Sequence, residues 1–377
     1  MHTRICDTFS IEFPIFAFSH CRDVVAAVSR AGGMGVLGAL AFSPEQLEIE
    51  LNWIDEHVDG KPFGVDVVMP ASLAEGAADA GKSQLEAMIP ARHREFVEEV
   101  LQRYNVPELP ADEPKSESLL GWTPAGGRPQ VDVALSHGIR LLVNALGPPP
   151  PDVIEQAHAK GVLVAALIGT PDQARKQVAA GVDIIVAQGT EAGGHTGEIS
   201  TMVLVPQVVD AVNPTPVLAA GGIGNGRQIA AALALGADGA WTGSVWLTVK
   251  ESDTHPLLID RMLHATSRDT VRSRSMTGKP ARLLRTPWTD VWDAPESPGT
   301  LPMPLQYMLT SDATSRIYRY AGREGSGAKE LLGTPVGQIV GSMSVVRPVR
   351  EVIFSMVEEF AAAADHINNI SADAAGR

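Results

Sequence analysis

Residues 161–189 read GVLVAALIGTPDQARKQVAAGVDIIVAQG. Two apolar runs, Gly161–Leu167 and Val182–Ala187, flank a polar, Ala-rich segment, Pro171–Ala180, begun by Thr170. Neither run alternates apolar with polar residues, and unbroken apolar runs are the pattern of parallel strands covered on both faces. Thr170 before a first-turn proline is a helix start. The stretch therefore predicts a strand, a crossover helix and a second parallel strand.

The same alternation runs outward in both directions. Upstream, strands are predicted at Phe13–Phe18, Met34–Leu40, Pro62–Met69 and Ile139–Ala145. Helices are predicted at Asp23–Ala31, from Ser43-Pro44-Glu45-Gln46 onward, and at Pro151–Lys160. Downstream come a helix at Thr201–Val212, a strand at Pro216–Ala220, a helix at Arg227–Leu235 and a strand at Ala237–Thr242. Eight such strands in about 250 residues, nearly all followed by a helix, fit an α/β fold of the (β/α)8 TIM-barrel type; a doubly wound open sheet is the main rival. The rhythm breaks at about 70–129, an insertion after the third strand, with a charged helix at Ala91–Tyr104 and then Pro107, Pro110, Pro114, Pro124 and Pro129. It is a flap, a surface excursion or a mobile surface loop. Residues 1–250 thus form the expected barrel. Residues 251–377, basic and proline-rich before an amphipathic helix at Val345–Ala364, form a C-terminal extension of helices and loops packing beside it, with the last ten or so residues disordered.

Composition narrows the function. With 377 residues, 45% hydrophobic and 20% charged, the chain is that of a soluble globular protein rather than a disordered one. No apolar run has the roughly 18 residues of a membrane span, and the N-terminus lacks the apolar core of a signal peptide. A net charge of −14 argues against nucleic-acid or anionic-membrane partners. The only cysteines, Cys6 and Cys21, cannot build a disulfide framework, so a cytoplasmic protein is expected. No H-E-x-x-H and no G-x-S-x-G is present, which predicts no metal site and no hydrolase elbow.

The densest cluster follows the sixth strand: Gln188-Gly189-Thr190-Glu191-Ala192-Gly193-Gly194-His195-Thr196-Gly197. It falls at the C-terminal face of the barrel, where active sites of this fold occur. Its glycines let backbone approach a flat ligand, and His195 is either structural or a general base with an ordinary pKa near neutrality. Two further turns, Gly221-Gly222-Ile223-Gly224-Asn225-Gly226 and Trp241-Thr242-Gly243-Ser244, follow strands seven and eight. They are either tight turns alone or a phosphate site of the kind barrels place there.

Taken together these residues resemble the nitronate monooxygenase (2-nitropropane dioxygenase) family, which is related to the FMN-dependent enoyl-acyl-carrier-protein reductases. The resemblance runs through Pro14-Ile15, Ala31-Gly32-Gly33-Met34-Gly35-Val36-Leu37-Gly38, Phe63-Gly64-Val65, the 189–197 cluster, Ala220-Gly221-Gly222-Ile223, Gly236-Ala237-Asp238-Gly239 and Thr277-Gly278-Lys279-Pro280-Ala281-Arg282. It implies non-covalent FMN, with the phosphate on Gly222, Gly224, Gly243 and Ser244, beside Gly221. The ring would lie over Ala17, Phe18 and Ser19. Gln188, Gly193, Gly194, Trp241 and Thr242 would complete the cofactor site, and His195 would be the catalytic base.

Two departures stand at the ring end. Ala17-Phe18-Ser19-His20-Cys21-Arg22-Asp23 replaces the family's Ala-Pro-Met-Ala-type turn, and Asp66 replaces its Asn. Asp66 would face the flavin, bind a substrate cation, or be held protonated by burial. His20 and Arg22, with Asn144, are candidates for substrate contact, or are structural. The activity implied is oxidation of alkyl nitronates by O2 to carbonyl compounds and nitrite. The alternative is NAD(P)H-dependent reduction of an enoyl thioester of acyl-CoA type or of a quinone; a second alternative is a flavin-binding barrel without turnover. The partners implied are a small-molecule substrate, O2 or NAD(P)H, and a second copy in a homodimer.

Overall fold

Eight parallel strands close on themselves: β1 (Ile15–Ser19), β2 (Met34–Gly38), β3 (Phe63–Val68), β4 (Leu141–Ala145), β5 (Leu163–Ile168), β6 (Ile184–Gln188), β8 (Val217–Ala220) and β9 (Gly239–Thr242), with β9 pairing back to β1. The computed structural model describes residues 1–70, 73–77, 81–110 and 124–375. The closed ring excludes the open-sheet rival. Side chains alternate between two cores, as strand geometry requires. Phe16, Met34, Val36, Leu141, Val143, Val186 and Trp241 fill the barrel interior. Leu37, Val65, Leu142, Val164, Ile185 and Ala219 face the helices. A short helix, Arg4–Phe9, not foreseen from the sequence, stoppers the N-terminal end, with Phe9 edge-on to Phe16 at 5.6 Å.

Helix starts follow the predicted chemistry. Ser43 Oγ accepts from Gln46 N at 3.2 Å while Gln46 Oε1 accepts from Ser43 N at 3.1 Å, a reciprocal capping box. Thr170 Oγ1 accepts from Gln173 N at 3.2 Å.

Helices Lys82–Ala87 and Ala91–Arg103 stand between β3 and β4 ahead of the barrel helix Pro124–Ala134; residues 111–123, Pro114 among them, lie outside the described residues. The insertion packs on the extension. Phe96, Val97, Val100 and Leu101 share a second core with Leu258, Trp288, Trp292, Leu309 and Ile317. Arg316, 4% exposed, donates to Glu98 Oε1 at 2.7 Å, Pro107 O at 2.9 Å and Val106 O at 3.1 Å.

The extension departs from its predicted form in two ways. Its last helix runs Val349–Ala375, through residues expected to be disordered. It also supplies two strands, β10 (Thr270–Ser273) and β11 (Ala281–Leu284). These form an antiparallel sheet with β7 (Gly194–His195), registering Ala281 with His195 and Arg282 with Gly194. The extension therefore reaches the C-terminal edge of the barrel.

Candidate active site

The loop after β6 is pinned before it reaches His195. Glu191 Oε2 accepts from both Thr201 N and Thr201 Oγ1, each at 3.0 Å, at the start of helix Thr201–Val212. Gly189 N donates to Ala220 O at 2.9 Å. From the other side Arg282 Nε donates to Thr190 O at 2.9 Å and Arg272 Nη2 to Thr196 O at 3.2 Å. The β7–β11 pairing then fixes the backbone of His195 itself.

The imidazole Nε2 lies 2.7 Å from Thr277 Oγ1. Burial pulls the pKa of His195 down to about 4, and the positive charge of Lys279 adds to the effect. Lys279 is half-buried, and burial lowers its own pKa. At neutral pH the site therefore holds an uncharged imidazole beside an amine that carries the local positive charge.

The glycine turns divide into two kinds. Gly221 and Gly222 have φ of +97° and +69°, and the N–H groups of Gly222, Ile223 and Gly243 meet no protein acceptor among the described residues. At Gly194 and Gly243 a Cβ would stand in open space. Backbone N–H groups left without a protein acceptor are what an anion cradle requires, so Gly222, Ile223 and Gly243 fit a phosphate.

Other positions of the expected phosphate site are occupied by protein. A Cβ at Gly224 would lie 2.5 Å from Ile339, and one at Gly193 2.8 Å from Gly337 N. Ser244 Oγ accepts from Gly337 N at 2.8 Å. At the start of helix Gly226–Ala234, Gly224 N donates to Gln228 Oε1 at 2.8 Å and Gly226 N to Glu359 Oε2 at 2.9 Å. Gly193 and Gly224 are glycines because the extension packs on them, and the hydroxyl of Ser244 is engaged by that extension.

At the opposite side of the mouth, Phe18 stacks near-parallel to Trp241 at 6.2 Å and meets His20 edge-on at 5.1 Å. His20 Nδ1 donates to Gly38 O at 2.9 Å, which leaves Nε2 the acceptor of the neutral ring. A Cβ at Gly38 would meet that ring at 2.7 Å, so glycine is what lets His20 lie there. His20 is exposed on one side, yet burial on the other lowers its pKa. Asp66 registers with Gly38 and Val143 and shares the interior phase of β3. Gln188 shares the interior phase of Ile184 and Val186.

Strand phase thus brings Phe18, Asp66, Gln188 and Trp241 to the barrel interior, with His20 and His195 at its rim. Other expected side chains turn elsewhere. Ala17 packs toward the helices. Ser19 Oγ accepts from Cys21 N at 3.1 Å. Thr242 Oγ1 donates to Phe16 O at 2.8 Å and accepts from Trp246 Nε1 at 2.9 Å. Arg22 pairs with Glu50 at 3.3 Å and lies 4.8 Å over the Trp53 ring. Asn144, outward-facing like Leu142, spends its amide on Met69 N and Gly147 O, both at 2.9 Å. The polar groups of Arg22 and Asn144 are thus engaged away from the interior. Sequence reasoning gave no role to Glu191, Thr201, Thr277 or Gly337; of these Thr277 was marked by the Thr277–Arg282 motif, without its contact.

Residues 2–359 match the model of the family described as nitronate monooxygenase. A Mycobacterium tuberculosis protein described as "Putative monooxygenase Rv1533" is 60% identical over 365 residues, covering 96% of each chain. Nitroalkane oxidase from Streptomyces ansochromogenes is 27% identical with a TM-score of 0.77, over 96% of this chain and 99% of that one. FabK from Thermotoga maritima is 27% identical with a TM-score of 0.71, over 98% and 99%. The chain belongs to the nitronate monooxygenase family.

Proposed function

We propose that this chain is an FMN-dependent oxidoreductase that oxidises alkyl nitronates with O2 to carbonyl compounds and nitrite, with His195 as the base. The observation that carries it is the uncharged His195 imidazole, fixed by Thr277 and neighboured by Lys279 at the C-terminal edge of the barrel. Gly222, Ile223 and Gly243 would hold the phosphate through their N–H groups, and Phe18, Gln188 and Trp241 would border the ring. FMN supplies the electron acceptor and the path to O2. Lys279 draws an anionic nitronate to the mouth. His195, unprotonated above about pH 4, accepts the carbon-bound proton when the substrate arrives as the neutral nitroalkane.

A second reading, an NAD(P)H-dependent reductase of an enoyl thioester or quinone, is supported by the likeness to FabK along nearly the whole chain. Anaerobic mixing separates the two. Flavin bleached by nitronate and untouched by NAD(P)H, with nitrite released in equimolar amount on admission of air, supports the oxygenase. Rapid bleaching by NAD(P)H supports the reductase and overturns the first proposal.

A further inference from the structure

Asp66 is the one acidic side chain that the barrel strands turn inward, and its surroundings do nothing for a charge. It is 4% exposed. Its Oδ1 has no hydrogen-bond partner, and no ion pair reaches the residue among the described residues. The strands on either side register Gly38 and Val143 with it, one without a side chain and one apolar. Beyond β2, the His20 ring, which follows β1 and lies against Gly38, already gives its Nδ1 proton to the Gly38 carbonyl. No charged group acts on Asp66 to offset its burial, which raises its pKa well above the ordinary carboxylate value.

An uncompensated carboxylate in an apolar interior takes up a proton instead of staying charged. Protonation leaves a second debt: the acid O–H also lacks a protein acceptor, and a buried hydrogen bond left unmade is itself unfavourable. A valine here would carry neither cost, so the donor is directed at something other than this chain.

We propose that Asp66 is a neutral carboxylic acid that donates its proton to a hydrogen-bond acceptor on the cofactor ring, a flavin carbonyl oxygen or imine nitrogen. This rests on the FMN reading above. The acid then does what a neutral amide does at the ring, until alkaline pH ionises it and turns the donor into a repelling anion.

Infrared difference spectra of wild type minus Asp66→Asn test the proposal. In the apoprotein at neutral pH a protonated-carboxyl C=O band is expected, absent from the variant, and FMN should move it to lower frequency. No such band, or one lost on adding FMN, overturns the proposal, the latter pointing to a cationic ligand. A band that FMN leaves unmoved also overturns it. If FMN does not bind at all, the cofactor reading fails and the named acceptor with it, while the apoprotein band still decides the protonation state. As a second readout, the FMN dissociation constant of wild type should rise at least tenfold from neutral to alkaline pH, with Asp66→Asn flat. Parallel curves overturn the proposal.

Discussion

His195 trades proton affinity for position. The folded protein holds it near 4 against an ordinary 6.5, so between those values the unfolded chain binds a proton that the folded chain does not. Stability from this residue is complete above about 6.5, and is lost as pH falls toward 4. His195→Asn should therefore flatten the dependence of unfolding free energy on pH across that window, as read from urea melts at several pH values; an unaltered slope would mean the ring is solvated in the folded state. The same variant should keep the flavin spectrum and lower kcat/KM for a nitroalkane roughly 10²–10⁴-fold, the usual worth of a general base. Thr277 touches no substrate in this scheme; it positions the ring through Nε2. Thr277→Val should cost about tenfold in kcat, some 1.4 kcal/mol, with KM little changed and the pH profile displaced. A KM effect alone would argue against a positioning role.

At the scale of elements, glycine means two things in this barrel, and the sequence does not separate them. Gly193 and Gly243 stand in similar Gly-rich turns after the sixth and eighth barrel strands, yet Gly193 abuts Val336 and Gly337 while Gly243 faces open space. Gly193→Ala must displace the extension and should destabilise by roughly 1–3 kcal/mol, the usual cost of overpacking, measured by denaturant unfolding. Gly243→Ala, at an ordinary negative φ of −134°, should leave stability within about 0.5 kcal/mol and weaken FMN binding about tenfold, since its Cβ enters the proposed phosphate cradle. Reversal of the two outcomes would place the phosphate elsewhere. The barrel strands were legible because each is a mostly apolar run needing no knowledge of its partner, and the capped helix starts were legible because capping is local. β10, β11 and the Arg4–Phe9 plug were not: they are four to six residues long and exist through contacts made far along the chain. The same reason hid Thr277, 82 residues from the histidine it holds. It also hid the partners of Arg22 and Asn144, which are Glu50 and Trp53 for the first and Met69 and Gly147 for the second.

Over the whole molecule, the insertion and the extension are coupled, because they share one hydrophobic core. The insertion contributes the apolar face of Ala91–Arg103, and the extension contributes Trp288, Trp292 and the Leu305–Tyr320 helix; Phe96 meets Trp292 edge-on at 5.0 Å. Arg316 ties the two with one carboxylate and two backbone carbonyls. That body is continuous in chain with β11, which pairs with His195, and with Gly337, which donates to Ser244, so loss of the extension would remove both the partner of His195 and one wall of the mouth. Arg316→Met strips the carbonyls of Val106 and Pro107 of their donor while keeping an apolar stem, and should cost about 3 kcal/mol. Hydrogen exchange should then report lost protection in residues 91–106 and 305–320 together, with β1 to β5 unchanged. Deprotection of the insertion alone would show that the extension stands without it, and His195 would then owe its placement to β11 and Thr277 only.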